Sequence, residues 1–255
     1  MNISPNNIIL EAKSLKKSFG SNHVIGDISL SVKEGELVSI LGVSGVGKTT
    51  LFNMLSGLSM PDSGTVTLNG EDITGKPGKI SYMLQKDLLL PYRTVIDNVA
   101  LPLVINGMKK KEAREKADPY FEEFGIAGTQ KKYPAALSGG MRQRAALLRT
   151  YLASNGVALL DEPFSALDTI TRSSMHDWYL DVMNDINLTT LFITHDMDEA
   201  IKLSDRICIL GDKPARIVKE IKIDVPRPRT SDFTLTTEFL QYKKEIAETL
   251  KGQTK

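Results

Sequence analysis

Hydrophobic and polar positions fall into two regimes along the chain. In most of it, short apolar runs of strand character alternate with longer helical segments, the pattern of an α/β protein with a largely parallel sheet. Residues 37–41 (LVSIL) are a short, mostly apolar run between Gly35 and Gly42 and suit a buried parallel strand. Residues 157–161 (VALLD), 189–194 (TTLFIT) and 207–210 (ICIL) suit further strands of the same kind. The beginning differs. Residues 8–12, 24–32 and 64–70 read as short strands separated by turn residues, Asn69-Gly70 among them, and predict an antiparallel piece joined to the α/β core. Helix is predicted over 49–58 and over much of 91–154, where the mixed-charge run Lys109–Lys116 reads as a solvated helix face. Near the end, Pro226-Arg-Pro-Arg229 reads as a linker. Phe239, Tyr242, Ile246 and Leu250 then recur at helical spacing and predict a helix packed on the body. There is no internal repeat and no low-complexity tract.

Composition narrows the class. The 255 residues carry a net charge of +1, which argues against a dedicated nucleic-acid binder. No run approaches the ~18 apolar residues that span a bilayer; the apolar stretch Ala100–Ile105 is interrupted by Pro102. The first residues, MNISPNNIILEAK, lack the basic start, apolar middle and small-residue cleavage site of a signal peptide. The single cysteine, Cys208, sits in an apolar run and is expected to be a buried thiol, so the chain reads as cytosolic and reduced.

The chemistry begins at Gly42-Val-Ser-Gly-Val-Gly-Lys-Thr49, which fits G-x-x-x-x-G-K-[ST] between a predicted strand and a predicted helix. Its glycines let the backbone curl so that the N–H groups of Ser44, Gly45, Val46, Gly47, Lys48, Thr49 and Thr50 form, with the helix start, a cradle for polyphosphate. Lys48 would neutralise β- and γ-phosphate charge, and the Thr49 hydroxyl would hold Mg²⁺. Asp161, at the end of the run Leu159-Leu-Asp-Glu-Pro163, is the expected second metal residue, and Glu162 beside it is placed to polarise an attacking water. A second glycine-rich helix start, Leu137-Ser-Gly-Gly-Met-Arg-Gln-Arg144, offers the Ser138 hydroxyl and the N–H groups of Gly139 and Gly140 to another anion.

These segments, in this order, resemble the ATP-binding cassette ATPase family over roughly residues 8–225. The resemblance makes residues 42–49 the Walker A motif and residues 157–162 Walker B, with Glu162 in the catalytic-base position. Phe19 takes the place of the aromatic residue that stacks on adenine. Gln85 matches the Q-loop glutamine that senses Mg²⁺ and the γ-phosphate. Residues 137–141 match the signature LSGGQ with Met141 in place of glutamine, Ser165-Ala-Leu-Asp168 the D-loop, and His195 the switch histidine. The implied fold is a P-loop NTPase with a RecA-like core, an N-terminal antiparallel β subdomain and an inserted α-helical subdomain. The ATPase domain would occupy residues 1–225, its core 1–90 and 155–225 and its helical subdomain about 91–154, with a C-terminal linker and amphipathic helix at 226–255.

The same resemblance implies ATP and Mg²⁺ as ligands and a head-to-tail homodimer in which the signature of one subunit caps the nucleotide held by the other. Gln85-Lys-Asp-Leu-Leu-Leu-Pro-Tyr-Arg-Thr-Val95 and Asp97-Asn-Val99 closely resemble the ATPases of the nitrate, sulfonate and taurine importer group, with Tyr92 in place of a tryptophan. The implied partners are a transmembrane permease, docked near Leu88, Leu89 and Leu90, and indirectly an extracytoplasmic solute-binding protein, with no nucleic acid. The implied place is the cytoplasmic face of the membrane, held through the permease. Solutes of the sulfonate, taurine, nitrate or thiamine-precursor kind fit that group. The rival reading is a soluble cassette ATPase acting on DNA or ribosomes. The stretch between Thr49 and Leu137 is too short for the coiled-coil insertion of DNA-repair relatives, and the chain holds one cassette where translation-factor relatives hold two.

Overall fold

The structure, a computed structural model, describes residues 7–165, 167–186 and 188–252. The start of the segment read for a signal peptide (1–6), Ala166 of the D-loop match and residues 253–255 of the C-terminal segment lie outside the described residues. Among the described residues one ten-stranded sheet forms: β1 Ile8–Phe19, β2 Asn22–Lys33, β3 Leu37–Leu41, β4 Ser63–Leu68, β5 Glu71–Asp72, β6 Ser81–Met83, β7 Val157–Asp161, β8 Thr189–Thr194, β9 Arg206–Gly211 and β10 Ala215–Lys222. The spatial order is β5-β4-β1-β2-β10-β9-β3-β8-β7-β6. Strands β9, β3, β8, β7 and β6 pair in parallel, whereas β1 pairs antiparallel with both β2 and β4. The expected parallel core and antiparallel N-terminal piece are both present.

Strands β1 and β2 are longer than their alternation predicted, whereas β4 ends at Leu68, short of the expected residue 70. In β1 the register shifts between Ala12 and Leu15 and again before Lys17, and Ser14 adopts φ 47°. Such bulges interrupt the period-2 pattern while the ladder continues. Helix α1 (Lys48–Leu55) stops short of the predicted Leu58. Ser56 is its C-cap and Gly57 turns left-handed at φ 75°; a Cβ on Gly57 would lie 2.5 Å from the Lys76 backbone.

The helical region resolves into α2 Val95–Val99, α3 Leu101–Ile105, α4 Lys110–Ala117, α5 Tyr120–Glu123 and α6 Gly139–Ala153. Helix α4 buries only Ala113 and Ala117, so its charged face is solvated as expected. Beyond it lie α7 Thr169–Ile186, α8 Met197–Leu203 and α9 Thr237–Lys251. No helix of the described residues is long and apolar enough to cross a membrane. Cys208 is fully buried, and burial pushes its thiol up to about 12, as expected of a core residue.

Three clusters hold the fold. One joins α2–α7 to one side of the parallel strands through Val99, Phe121, Phe124, Leu148 and Tyr179. A second packs α1, with Phe52 and Leu55 buried, between the antiparallel strands and the parallel core. The third seats α9, through Phe239 and Ile246, against α8 and the inner strands β9 and β10. The segment expected as a linker joins α9 to the body by specific bonds. Arg227 Nε donates to Asp205 at 2.8 Å, and the buried Arg229 donates to the carbonyls of Ile201, Lys202 and Ser204 at the end of α8 and to that of Val225.

Candidate active site

The parallel order places four chemistry-bearing segments side by side. The Gly42 loop follows β3, His195 follows β8, Asp161 and Glu162 end β7, and Gln85 follows β6; β3, β8, β7 and β6 are successive neighbours. All four lie at carboxyl ends of strands, where open α/β sheets bind ligands.

The phosphate loop has the backbone its glycines imply. Gly45 and Gly47 adopt φ 78° and 116°, values that favour glycine, and a Cβ on Gly47 would come within 3.0 Å of Ile25. Ser44, Gly45, Gly47, Lys48, Thr49 and Thr50 line a cavity of about 270 Å³, with Asp161 and Glu162 on its wall. Val46 turns its side chain into the core and does not line that space. Lys48 folds back and donates to the carbonyls of Gly42 at 2.7 Å and Val43 at 3.1 Å. Burial lowers its pKa, opposed by the charges of Glu162 and Asp161.

Thr49 Oγ1 donates to Asp161 Oδ2 at 3.4 Å, and the Tyr82 hydroxyl donates to the same oxygen at 3.3 Å. Burial raises the Asp161 pKa and Glu162 raises it further, against the hydroxyl bonds and Lys48, which lower it. A hydroxyl and a carboxylate meeting in a half-dry site form a hard-oxygen donor pair, and a divalent cation would satisfy it. Among the described residues no group of three or more His, Cys, Asp or Glu is arranged for a metal. The hydroxyl and carboxylate oxygens of Thr49 and Asp161 fit Mg²⁺, which keeps waters and takes other ligands from phosphates.

Glu162 sits in the left-handed region at φ 46°, with its N–H donating to Ile193 O at 3.0 Å. A strained residue of this kind is held by its surroundings, and here the turn aims the carboxylate between two partners. Gln85 Nε2 donates to Glu162 Oε2 at 3.0 Å, and His195 Nδ1 lies 3.2 Å from Oε1. Gln85 also donates to Ser165 Oγ at 3.3 Å, whose hydroxyl in turn donates to Glu162 O. The structure thus brings Gln85, Glu162 and His195 together, and separately Thr49 with Asp161.

The remaining expected residues lie apart from that cavity. Ser138 caps α6, accepting from Met141 N, and Gly139 lines a larger cleft of 850 Å³ with Gln85, Glu162 and His195. Gly140 leaves close room for Thr171, 3.3 Å from where its Cβ would stand. Phe19 is 56% exposed at the β1–β2 turn, with Lys17 Nζ 5.4 Å above its ring, so its other face is available for stacking. Of the three leucines read as a docking surface, Leu88 and Leu90 are exposed but Leu89 is a core residue, and Tyr92 is 93% exposed.

Several positioning residues escaped sequence reasoning. Tyr82 is the second donor to Asp161; its place three residues before Gln85 and just inside a strand end was the available signal. Asn98, fully buried, accepts from Leu90 N at 2.6 Å and donates to the carbonyls of Leu90, Arg93 and Thr94. It shapes the loop that the DNV motif follows. Gln143 donates to Pro163 O and so ties α6 to the turn after Glu162.

A family model described as ABC transporter matches residues 25–165. Among related proteins, the formylaminopyrimidine import ATP-binding protein ThiZ of Halalkalibacterium halodurans is 44% identical over 228 residues, covering 89% of each chain. The aliphatic sulfonates import ATP-binding protein SsuB 2 of Burkholderia cenocepacia is 38% identical over 221 residues, 87% of this chain and 80% of its own. Among solved structures, the dimeric post-hydrolysis state of the ATP-binding cassette MJ0796, bound to ADP and Pi, superposes with a TM-score of 0.72 at 28% identity, covering 86% of this chain and 100% of that one.

Proposed function

Since the chain belongs to the ABC transporter family, we propose that it is the ATP-hydrolysing, energy-coupling subunit of an importer. The observation that carries the reading is the Glu162 carboxylate held between Gln85 and His195 beside the phosphate loop. In the proposed reaction the backbone of residues 44–50 and the Lys48 ammonium bind the phosphates, Lys48 exchanging its bonds to Gly42 and Val43 for phosphate oxygens. Glu162 accepts a proton from the attacking water, while Gln85 and His195 orient that carboxylate and face the γ-phosphate. Thr49, Asp161 and Gln85 would hold Mg²⁺, whose charge offsets that developing on the phosphates. Phe19 stacks on adenine. Ser138, Gly139 and Gly140 bind the γ-phosphate held by a second copy of the chain in a head-to-tail dimer, so hydrolysis removes the contact that joins the copies.

In this reading residues 1–90 and 155–225 are the nucleotide-binding core, about 91–154 the helical subdomain, and 226–255 an appendage. The permease docks near Gln85–Val95, where Leu88, Leu90 and Tyr92 are exposed, and holds the protein at the cytoplasmic face of the membrane. An extracytoplasmic binding protein would select the solute, of the sulfonate, taurine, nitrate or pyrimidine thiamine-precursor kind. Relatives named for import of formylaminopyrimidine and aliphatic sulfonates support that range and do not favour an ATPase acting on DNA or ribosomes.

Glu162→Gln tests the mechanism. The amide keeps hydrogen bonds to Gln85 and His195 but is a poor base, so steady-state turnover should fall about 10²–10⁴-fold with ATP binding retained. Undiminished hydrolysis would remove Glu162 from the role. Co-expression with its permease should make the protein sediment with membranes, and capture of DNA or ribosomes instead would reject the transport reading.

A further inference from the structure

The loop after Gln85 is gripped by the helix that begins at the signature turn. Arg149, on α6, donates to Asp87 O at 2.5 Å and to Leu88 O at 2.8 Å. Between those carbonyls Leu88 adopts φ 45°, a left-handed conformation that a leucine does not choose unaided. Arg142, in the first turn of the same helix, donates from Nε to Asp87 Oδ2 at 3.2 Å and from an Nη to Leu137 O at 2.9 Å. Asp87 Oδ1 accepts from Leu89 N at 3.1 Å, which fixes the carboxylate in place. Leu137 immediately precedes Ser138. A path therefore runs from Glu162 to Gln85 by a hydrogen bond, along the backbone through Lys86 to Asp87, and by the ion pair to Arg142 and the carbonyl that enters the signature turn.

We propose that Asp87 and Arg142 are a positioning pair that makes the orientation of Ser138–Gly140 depend on the loop of Gln85 within the same chain. Arg149 keeps the loop rigid, and the Asp87–Arg142 ion pair passes its displacement to the signature turn. Gln85 faces the chain's own nucleotide and the signature faces the partner's, so the pair lets one site report its occupancy to the other. Exposed Leu88 and Tyr92 stand on the same loop, so a permease pressing there would act on the signature by the same route. This rests on the ATPase reading above.

The test is a charge swap in the full-length chain: Asp87→Lys, Arg142→Glu and the double variant. Both side chains are about one-third exposed, so the singles should fold, and thermal denaturation checks that they do. In the Glu162→Gln background, each single should raise the ATP concentration for half-maximal dimerisation by about fivefold, the upper reach of a partly exposed ion pair. With Glu162 intact, each should lower kcat by a similar factor. ATP affinity of the monomer should stay within about twofold, because the phosphate loop is untouched. The double variant should recover part of both readouts relative to the singles, because the ion pair re-forms with its charges exchanged while the bonds to Leu137 O and from Leu89 N do not. Singles that dimerise and turn over like wild type, or a double variant no better than the singles, would overturn the proposal. Should either single fail to fold, Asp87→Asn and Arg142→Gln replace them: each should give a similar loss and the two together no more than either alone, and no loss, or losses that add, would overturn the proposal. A wild-type protein that does not hydrolyse ATP would instead overturn the ATPase reading, a result distinct from failure of the pair.

Discussion

Replacing Arg229 by methionine is expected to lower stability by about 3 kcal/mol without changing affinity for ATP. The side chain is 3% exposed and has no carboxylate partner among its hydrogen bonds. Its Nη1 donates to the carbonyls of Ile201, Lys202 and Ser204 at 3.1, 3.1 and 2.6 Å, and Nε and Nη2 donate to Val225 O at 2.8 and 2.6 Å. Those first carbonyls belong to the end of α8, which leaves such groups without intrahelical partners. Burial pushes the guanidinium down to about 10, so it stays charged at neutral pH. Methionine fills much of the stem volume but satisfies none of the acceptors. Four carbonyls lose this donor, and each that neither water nor another group then serves costs about 1–3 kcal/mol. The desolvation cost of the arginine, relieved by the substitution, offsets part of that loss. A net loss of about 3 kcal/mol corresponds to a Tm lower by about 6–12 °C for a chain of this size. Thermal denaturation followed by circular dichroism reads the shift, and an ATP titration checks the site. A Tm within about 2 °C of wild type would refute the reasoning, because water would then be serving those carbonyls as well as the arginine does.

Other expectations follow from the same geometry. Lys48→Ala should weaken ATP binding by about 10–100-fold, the worth of a charge-assisted phosphate contact; calorimetry giving wild-type affinity would contradict the cradle. Asn98→Ala should cost about 2–4 kcal/mol by stripping partners from Leu90, Arg93 and Thr94, and hydrogen exchange should then accelerate at residues 90–94. Unchanged protection there would show that Asn98 does not hold the loop. Asp97 accepts hydrogen bonds from Arg114, which, against partial burial and with help from Lys110, hold its carboxyl at about 2. Because this folded value lies below the unfolded one near 3.9, its contribution is complete above about pH 4 and disappears as pH falls through about 2. The Tm difference between wild type and Asp97→Asn should therefore be largest near neutrality and close at low pH; a difference independent of pH would exclude the ion pair as its source.

Much of the site was legible locally. The phosphate loop, the Ser138 cap with its two glycines, and the acids after β7 are each specified by neighbours in the chain, because a strand, a glycine turn and a helix start are short-range structures. The parallel strands announced themselves by apolar runs, since both of their faces are buried. Harder to see were β6, only three residues long, and β10, whose half-exposed sequence ARIVKEIK does not read as a buried run. Helix α7 carries polar and charged residues on much of its surface and gave no clean stripe, while α8 is short.

What the chain's residues determined by themselves is therefore the parts list: a glycine-rich loop with the phosphate-cradle pattern, two adjacent acids proposed for the metal and for the base, a second glycine-rich helix start, and no apolar run long enough to span a membrane. Only the tertiary structure decided which parts meet. Gln85, Glu162 and His195 converge because β6, β7 and β8 are adjacent in the sheet, although they are far apart in the chain. The same holds for Tyr82 beside Asp161, Arg142 beside Asp87, and Arg229 at the end of α8. Each such contact joins polar groups of distant segments and leaves no periodic trace in sequence. Its geometry comes from strand order and helix packing, which the burial of apolar surface sets for the chain as a whole.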